Sequence, residues 1–377
     1  MPRKAHILFV LGIPQPSRPW QQQCVWYRVL GPGQALQAAG CRVDYSYLEE
    51  TQRIHSLLTT SAIDAVVLHR GTVGPCFSAL REQTRTSAVP LWYDLDDNII
   101  DPQAIETASH LAHLDSANIR AIQDWTRTNI ACLAECDGGL FSTPVLRDIG
   151  LRHNGNSRLA PNFLPAFYVG LAPRCGQRQD RGIRIYYGPG SIEHKVHFDL
   201  VAAALPCIMR EFPAIEFYIG GGLEPPGSLE EFGSRVTKLP RVRPEIYYRT
   251  LQLMDIALAP LAADSFSASK SWIKVLEAAS AGCIWIGSDQ SDYREFKALT
   301  GTGHLVSGQG WDGAFRSVLK EFLPERQRAL ERGQLIRERF SIASHTGEYL
   351  RTLGLSPESI IGRKPAADKI VPTSTSR

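Results

Sequence analysis

Asp264-Ser-Phe-Ser-Ala-Ser-Lys-Ser-Trp-Ile-Lys-Val-Leu-Glu277 lies between two apolar runs, Asp255-Ile-Ala-Leu-Ala-Pro260 before it and Cys283-Ile-Trp-Ile-Gly287 after it. Short β-rich runs flanking a helix-compatible segment predict a strand–loop–helix–strand unit. In an open α/β sheet, ligands bind in the crevice beyond the carboxyl ends of parallel strands, where the loop after Pro260 falls. Ser269 has the side chain of a helix N-cap, Lys270 and Ser271 then stand in the first turn, and Gly282 closes the helix. On that reading Lys270, Lys274 and Glu277 share one face at spacing i, i+4, i+7. Two lysines four apart repel, and the positive end of the helix dipole adds to the repulsion. A phosphate or diphosphate on the first-turn amides would relieve both. The same charges also suit a solvated helix face on which Lys274 pairs with Glu277.

Composition allows two domains with their own cores. The chain has 377 residues, 44% hydrophobic and 21% charged, with a net charge of +3 and a pI near 8.4. That balance does not call for nucleic acid, but it permits a mildly basic surface that meets anionic membrane or a phosphorylated substrate. The eight cysteines are scattered without C-x-x-C spacing, as in buried apolar positions of a reducing compartment. The apolar run near the amino terminus is short, lacks a small-x-small cleavage site and reads as a first strand. No run approaches the ~18 apolar residues of a membrane span. A cytoplasmic protein, with peripheral contact at the inner membrane face, is the expectation.

The string Lys-Ser-x-x-Lys-x-x-Glu at 270–277, followed by small residues, Gly282 and a β-rich run, resembles the nucleotide-sugar site of glycosyltransferase family 4. The resemblance implies that Lys270, Ser271 and Lys274 hold a donor diphosphate and that Glu277 binds the ribose. The commoner pattern of that family has a second glutamate eight residues earlier. Here that position is Ser269, and Asp264 is the candidate for the missing carboxylate toward the donor sugar.

The amino-terminal half begins as a βαβ unit: a strand over 5–13, a helix over 25–40 and a strand over 41–47. Tyr27-Arg28 resembles the start of the first helix in a subset of the family, a region that lines the acceptor side, and Arg28 there could grip a phosphate or carboxylate bidentately. A surface or interdomain salt bridge is the other reading of Arg28. Strands over 63–69 and 89–93 end in His69-Arg70-Gly71 and Asp94-Leu-Asp-Asp97, both aimed at one crevice. His69 and Arg70 are acceptor-side candidates, with a hydrogen-bonded core histidine as the plain alternative. Paired carboxylates invite a divalent metal, but the D-x-D metal motif belongs to a different transferase fold, and no metal is expected. Tyr-Asp-Leu-Asp-Asp resembles a motif of the same subset at a strand end where many relatives carry a catalytic-site histidine. That makes Asp94 and Asp96 the catalytic candidates, with helix capping as the structural alternative. Residues 103–137 read as one helix with Trp125, Ile130 and Leu133 on its apolar face, and His110 and His113 lack acidic partners for a metal.

The carboxyl-terminal half opens at Ile183-Arg-Ile-Tyr-Tyr-Gly-Pro-Gly-Ser191. Gly188-x-Gly190 lacks the third glycine of a dinucleotide fingerprint. The longer string from Gly188 to Asp199 resembles the first strand–loop–helix of the family's donor domain, which implies close approach of a diphosphate at Gly188 and Gly190 with His194 and Lys195 as cationic donors. The loop 239–243 falls where family members hold the base. The boundaries implied are 1–165 for an acceptor-side domain, 166–182 for a linker and 183–340 for a donor domain. A helix over 341–354 crosses back, and 355–377 is an expected disordered tail.

The resemblance implies two Rossmann-like domains facing a cleft, the GT-B fold. It further implies metal-independent transfer, with retention, of a sugar from a nucleoside diphosphate to a glycan or lipid-linked acceptor in envelope polysaccharide or lipopolysaccharide assembly. The nucleotide sugar is substrate, and no cofactor is expected. A non-catalytic sugar-nucleotide-binding protein and a sugar-nucleotide epimerase stand as alternatives.

Overall fold

The computed structural model describes residues 4–13, 23–171, 182–189 and 195–357. Two all-parallel six-stranded sheets organise them, and the switch points of the two sheets face each other. The first sheet has strand order β2-β1-β3-β4-β5-β6, with β1 His6–Leu11, β2 Arg42–Tyr47, β3 Ala65–His69, β4 Leu91–Leu95, β5 Gly138–Phe141 and β6 Ser157–Leu159. The second has order β12-β11-β10-β7-β8-β9, with β7 Ile183–Tyr187, β8 Ile215–Ile219, β9 Val236–Lys238, β10 Ile256–Ala259, β11 Ile284–Ser288 and β12 His304–Val306. The central strands read as largely apolar runs because helices cover both faces of each sheet, while the edge strands β2, β6 and β9 carry polar residues. Successive β1 residues divide accordingly: Leu8 and Val10 enter one core with Val66 and Leu68, while Ile7 and Phe9 enter the opposite one with Ala65 and Val67.

In the first sheet the chain steps from β1 outward to β2, then reverses across β1 to β3, opening a crevice at the carboxyl ends of β1 and β3. In the second the reversal falls between β7 and β10, so the loops after Tyr187 and after Ala259 line the matching crevice. The chain returns late to the first domain. Tyr349, Leu350 and Leu353, at the end of Thr346–Thr352, pack into the core that holds Phe9, and Leu164 bridges Ser341 at the crossing.

Two helices differ from expectation. The first is continuous over 23–38 but widens to a π turn at Trp26–Leu30, where the amide of Gly31 donates to Trp26 O. Pro32 follows directly; it has no amide to give, and an interior proline clashes with the preceding turn, so the wider turn lets the helix continue. A Cβ on Gly31 would stand 2.6 Å from Trp26 O, which leaves room for glycine alone. The expected single helix over 103–137 is broken into Pro102–Glu106, a short turn Ser109–Leu111 and Ser116–Glu135, with Asp101 and Asp115 capping the first and last pieces. Trp125, expected on the apolar face, is 41% exposed and faces the cleft. Among the described residues the cysteines are free, and no helix is long and apolar enough to cross a membrane.

Candidate functional site

The cleft between the two sheets holds a cavity of about 780 Å³ lined from both sides, by Arg70, Asp96 and Asp97 of the first domain and by Gly188, Lys274 and Glu277 of the second. The stretch 264–277 forms much of its second-domain wall, but its local structure is not the expected one. Asp264 caps a single turn, Ser265–Ala268, by accepting from the Ser267 amide at 2.6 Å. Ser269 ends that turn, its hydroxyl donating to Phe266 O at 2.7 Å. The long helix starts only at Ile273, and the amide of Trp272 donates to Asp292 at 2.6 Å. Lys270 and Ser271 therefore precede the helix, whereas Lys274 stands in its first turn. Gly282, at φ +84°, follows the helix end.

The two lysines have different partners. Lys270 Nζ reaches across the cleft to Asp97 Oδ1 at 2.8 Å and lies 4.7 Å from the centre of the Phe266 ring. Lys274 Nζ donates to the carbonyls of Gly188 at 3.1 Å and Pro189 at 3.2 Å; among the described residues no carboxylate lies within salt-bridge distance of it. Burial, and after it the charge of Lys270, pulls the Lys274 ammonium down to about 8 despite Glu277 nearby. His197, on the adjoining helix, accepts the Ala262 amide at 3.0 Å. Burial and both lysine charges lower it to about 3, so it is neutral.

Glu277 is 3% exposed and surrounded by tyrosines rather than paired with Lys274. Tyr27 of the first domain donates to its Oε1, Tyr168 reaches the same oxygen at 3.4 Å, and Tyr247 donates to Oε2 at 3.1 Å. Burial pushes Glu277 up to about 7, with the hydrogen bonds from Tyr27 and Tyr247 opposing it. Asp264 is spent differently from its expected role toward the donor sugar: its second oxygen accepts the Ser109 amide of the first domain at 3.0 Å. It is an interdomain fastener, and Phe266 beside it packs among Ile105, Ala108 and Leu111 of the first domain.

On the opposite wall, register explains the charge cluster. His69 and Asp94 are partners on neighbouring parallel strands, so their side chains share a face and meet at 2.8 Å, Nδ1 to Oδ1. Arg28, presented by the π turn, donates through Nε to Asp94 Oδ1 at 3.0 Å and through Nη2 to Oδ2 at 2.5 Å. Its remaining reach goes to Ala160 O at 2.6 Å and Asn162 Oδ1 at 3.0 Å. Arg28 is 3% exposed and Asp94 fully buried. Arg28 is thus no acceptor grip but a buried salt bridge within the first domain, and Asp94 positions Arg28 and His69 from beneath the cleft instead of touching a reacting group. Burial opposes the charged imidazole of His69, but Asp94 and the neighbouring Cys24 together outweigh it and hold His69 at about 9. Asp96 does face the cavity. It takes Arg70 at 2.7 Å, with Asp97 3.8 Å from the same guanidinium. Burial works against their ionisation, but Arg70 for Asp96, and Lys270 then Arg70 for Asp97, keep both carboxylates below the usual range. Arg70 sits at φ 52°, a left-handed conformation held beside the cleft.

Of the other expected donor ligands, Gly188 lines the cavity, while Lys195 pairs with Asp199 at 2.8 Å on an exposed helix face, away from the cavity lining. Ser271 accepts from Asn162 Nδ2 at 2.9 Å. Gly190 and His194 lie outside the described residues. Residues that sequence patterns had not singled out include Tyr168 and Tyr247 beside Glu277, and Asn162, which joins Arg28 to Ser271; Tyr27 was noted only as part of its motif, not as a partner of Glu277. Their signal is long-range pairing, invisible to local spacing.

No protein-family model matches the chain, and no curated protein matches it in sequence. Solved structures do match. WaaG, described as a glycosyltransferase involved in lipopolysaccharide biosynthesis, aligns over 95% of this chain and 100% of its own at TM-score 0.58 and 14% identity. A glycosyltransferase from Rickettsia africae aligns over 96% and 100% at TM-score 0.62 and 10% identity. HepE of Anabaena, solved in complex with UDP, aligns over 93% and 99% at TM-score 0.58 and 11% identity. This is the GT-B fold. At such identities the likeness is one of architecture, and residue roles rest on the geometry of this chain.

Proposed function

We propose that the chain is a glycosyltransferase that moves a sugar from a nucleoside diphosphate, held in the second domain's crevice, to a hydroxyl acceptor entering against the first. One observation carries the reading: at the β7–β10 switch point a partly buried ammonium, Lys274, rests on two carbonyl oxygens and, among the described residues, has no carboxylate within salt-bridge distance, beside a second lysine and the start of Ile273–Ser280. Such a place lowers its energy by taking an anion. The fold supports the reading, since HepE shares it and is described in complex with UDP and with UDP-glucose.

The difficult event in such a transfer is departure of the diphosphate. Lys274 and Lys270, already fixed around the place where its charge develops, stabilise that charge without reorganising at the moment of reaction. Asp96 and Arg70, on the facing wall, are the groups that can orient an acceptor hydroxyl. The further readings belong to the same proposal: kinship to family 4, retention of anomeric configuration, transfer without an obligatory metal, and a role in envelope polysaccharide assembly beside an anionic membrane.

The test is incubation with UDP-, GDP-, ADP- and dTDP-sugars, with product analysis and calorimetric titration of the nucleoside diphosphates. Transfer, or slow donor hydrolysis, that persists in excess EDTA is expected. Asp96→Asn is expected to lower turnover much more than donor affinity. Binding without any turnover would leave a sugar-nucleotide carrier, and conversion of the sugar without an acceptor would mark an epimerase. Failure of every nucleotide to bind would end the proposal.

A further inference from the structure

Behind the acceptor-side wall, Cys24, His69 and Asp96 bring one sulfur, one ring nitrogen and one carboxylate oxygen within 4.8 Å of one another. They come from three separate segments: the start of the first helix, the end of β3 and the loop after β4. Cys24 and Asp96 line the cleft. His69 is completely buried, and its Nε2 makes no hydrogen bond of normal geometry, with the Cys24 thiol as its neighbour. A buried ring nitrogen without such a bond is costly unless something occupies it. The opposite ring nitrogen is fixed at 2.8 Å from Asp94. A carboxylate behind the imidazole is the arrangement that orients a histidine ligand and raises its basicity toward a metal.

We propose that Cys24, His69 and Asp96 form a binding site for a zinc-class divalent cation, with the fourth position open to water from the cleft. The mixed sulfur, nitrogen and oxygen donor set suits a borderline-soft ion, not magnesium or calcium. Ligand bonds of about 2.0–2.3 Å set donors of one tetrahedral ion roughly 3.5 Å apart, so the three groups need a modest contraction on binding. Binding releases the protons held by the thiol and by Nε2 to solvent. Arg70 is the opposing charge, since it holds Asp96 at 2.7 Å; Asp97, 3.8 Å from the same guanidinium, stands ready to take it over. The ion would therefore draw Asp96 away from Arg70 and rearrange the acceptor-side wall. The site shares Asp96 with the acceptor wall of the proposed transferase, so a bound ion would compete with orientation of the acceptor there; ion binding itself can be read without any transfer activity.

Cobalt(II) titration of the purified, reduced full chain tests the site. The expected result is a near-ultraviolet sulfur-to-cobalt charge-transfer band that zinc abolishes by displacement. Cys24→Ser loses the band, and Cys76→Ser, which changes the other thiol lining the cavity, keeps it. A second readout needs no variant: zinc slows alkylation of Cys24 by N-ethylmaleimide, located by peptide mass spectrometry, and leaves Cys76 unaffected. No cobalt–thiolate band in the parent chain, a band that survives Cys24→Ser, or Cys24 alkylation indifferent to zinc would each overturn the proposal.

Discussion

In the first domain Asp94 is matched under the cleft floor, met by Arg28 on both oxygens and by His69 on one of them. In the second domain Lys274 leans on two main-chain carbonyls, and burial has already drawn its proton affinity down. Both clusters sit at the switch point of a parallel sheet, yet Asp94 has its counter-charges within the protein, whereas among the described residues Lys274 has no carboxylate within salt-bridge distance. Charges that satisfy each other hold the fold in register, whereas a charge left without its counter-ion marks the place where a ligand completes the structure.

The sharpest way to break that contrast is to remove one partner of the complete cluster. Arg28→Ala leaves Asp94 buried beside His69 alone and is expected to cost about 3–5 kcal/mol of stability, read as a large fall in melting temperature. Arg28→Lys should recover only part of it, because an ammonium cannot bridge both oxygens of Asp94. A parent-like melting temperature for Arg28→Ala would mean that the cluster does not hold the first domain together.

Glu277 gives the next largest effect. With its folded pKa raised to about 7 by burial, it keeps a proton that the unfolded chain releases in the ordinary carboxylate range. The resulting stability is fully present in acid and lost as the pH rises toward 7, on the order of 3 kcal/mol. Melting temperature should therefore fall across that window, and Glu277→Gln should flatten the fall. Some slope remains from Asp292, which burial pushes up to about 8. An identical pH profile in the variant would show that Glu277 ionises freely.

Lys274 should behave in the opposite sense to Arg28. Lys274→Met removes a poorly satisfied ammonium, so melting temperature should hold or rise, while nucleoside diphosphate affinity falls by about 1.5–3 kcal/mol. A fall in stability with unchanged nucleotide affinity would place Lys274 with the structural charges. The smallest effect is on pH: since the free amine has its pKa at about 8 and an anion holds the proton on, affinity should drop about tenfold between pH 7 and 9 in the parent chain and stay level in Lys274→Met. Titration calorimetry reads both.

Much of the sheet architecture was legible because parallel strands buried on both faces leave apolar runs bounded by breakers, and the strand ends then locate the crevices. Within the site, legibility followed sequence distance. Lys274 and Glu277 fall on one helix, and helical spacing suffices to bring them together. The start of that helix did not follow from spacing, because the Trp272 amide bonds to Asp292 twenty residues further on and Ser269 closes the preceding turn. The tyrosine donors to Glu277 come from as far as Tyr27, and Arg28 meets Asp94 only once β3 and β4 are in register, so no local pattern announces either. The break between 106 and 116 had its caps in view, Asp101 and Asp115, but an unbroken run of helix-tolerant residues masked them.

The short turn at 265–268 fastens the two halves of the molecule as well as shaping the pocket. Asp264 holds the amide of Ser109, Phe266 fills an apolar pocket across the gap, and the carbonyl of Ser269 takes Thr143 Oγ1 at 3.1 Å. The segment beside the proposed anion site is thus also a buckle between the domains; if an anion binds the buckled form more tightly, the buckle must favour the anion by the same factor. The backbone amide of Ser109 is a natural reporter of that reciprocity. It lies in the first domain and has no place on the cavity wall, so a nucleoside diphosphate that slows its exchange with solvent must do so through the buckle.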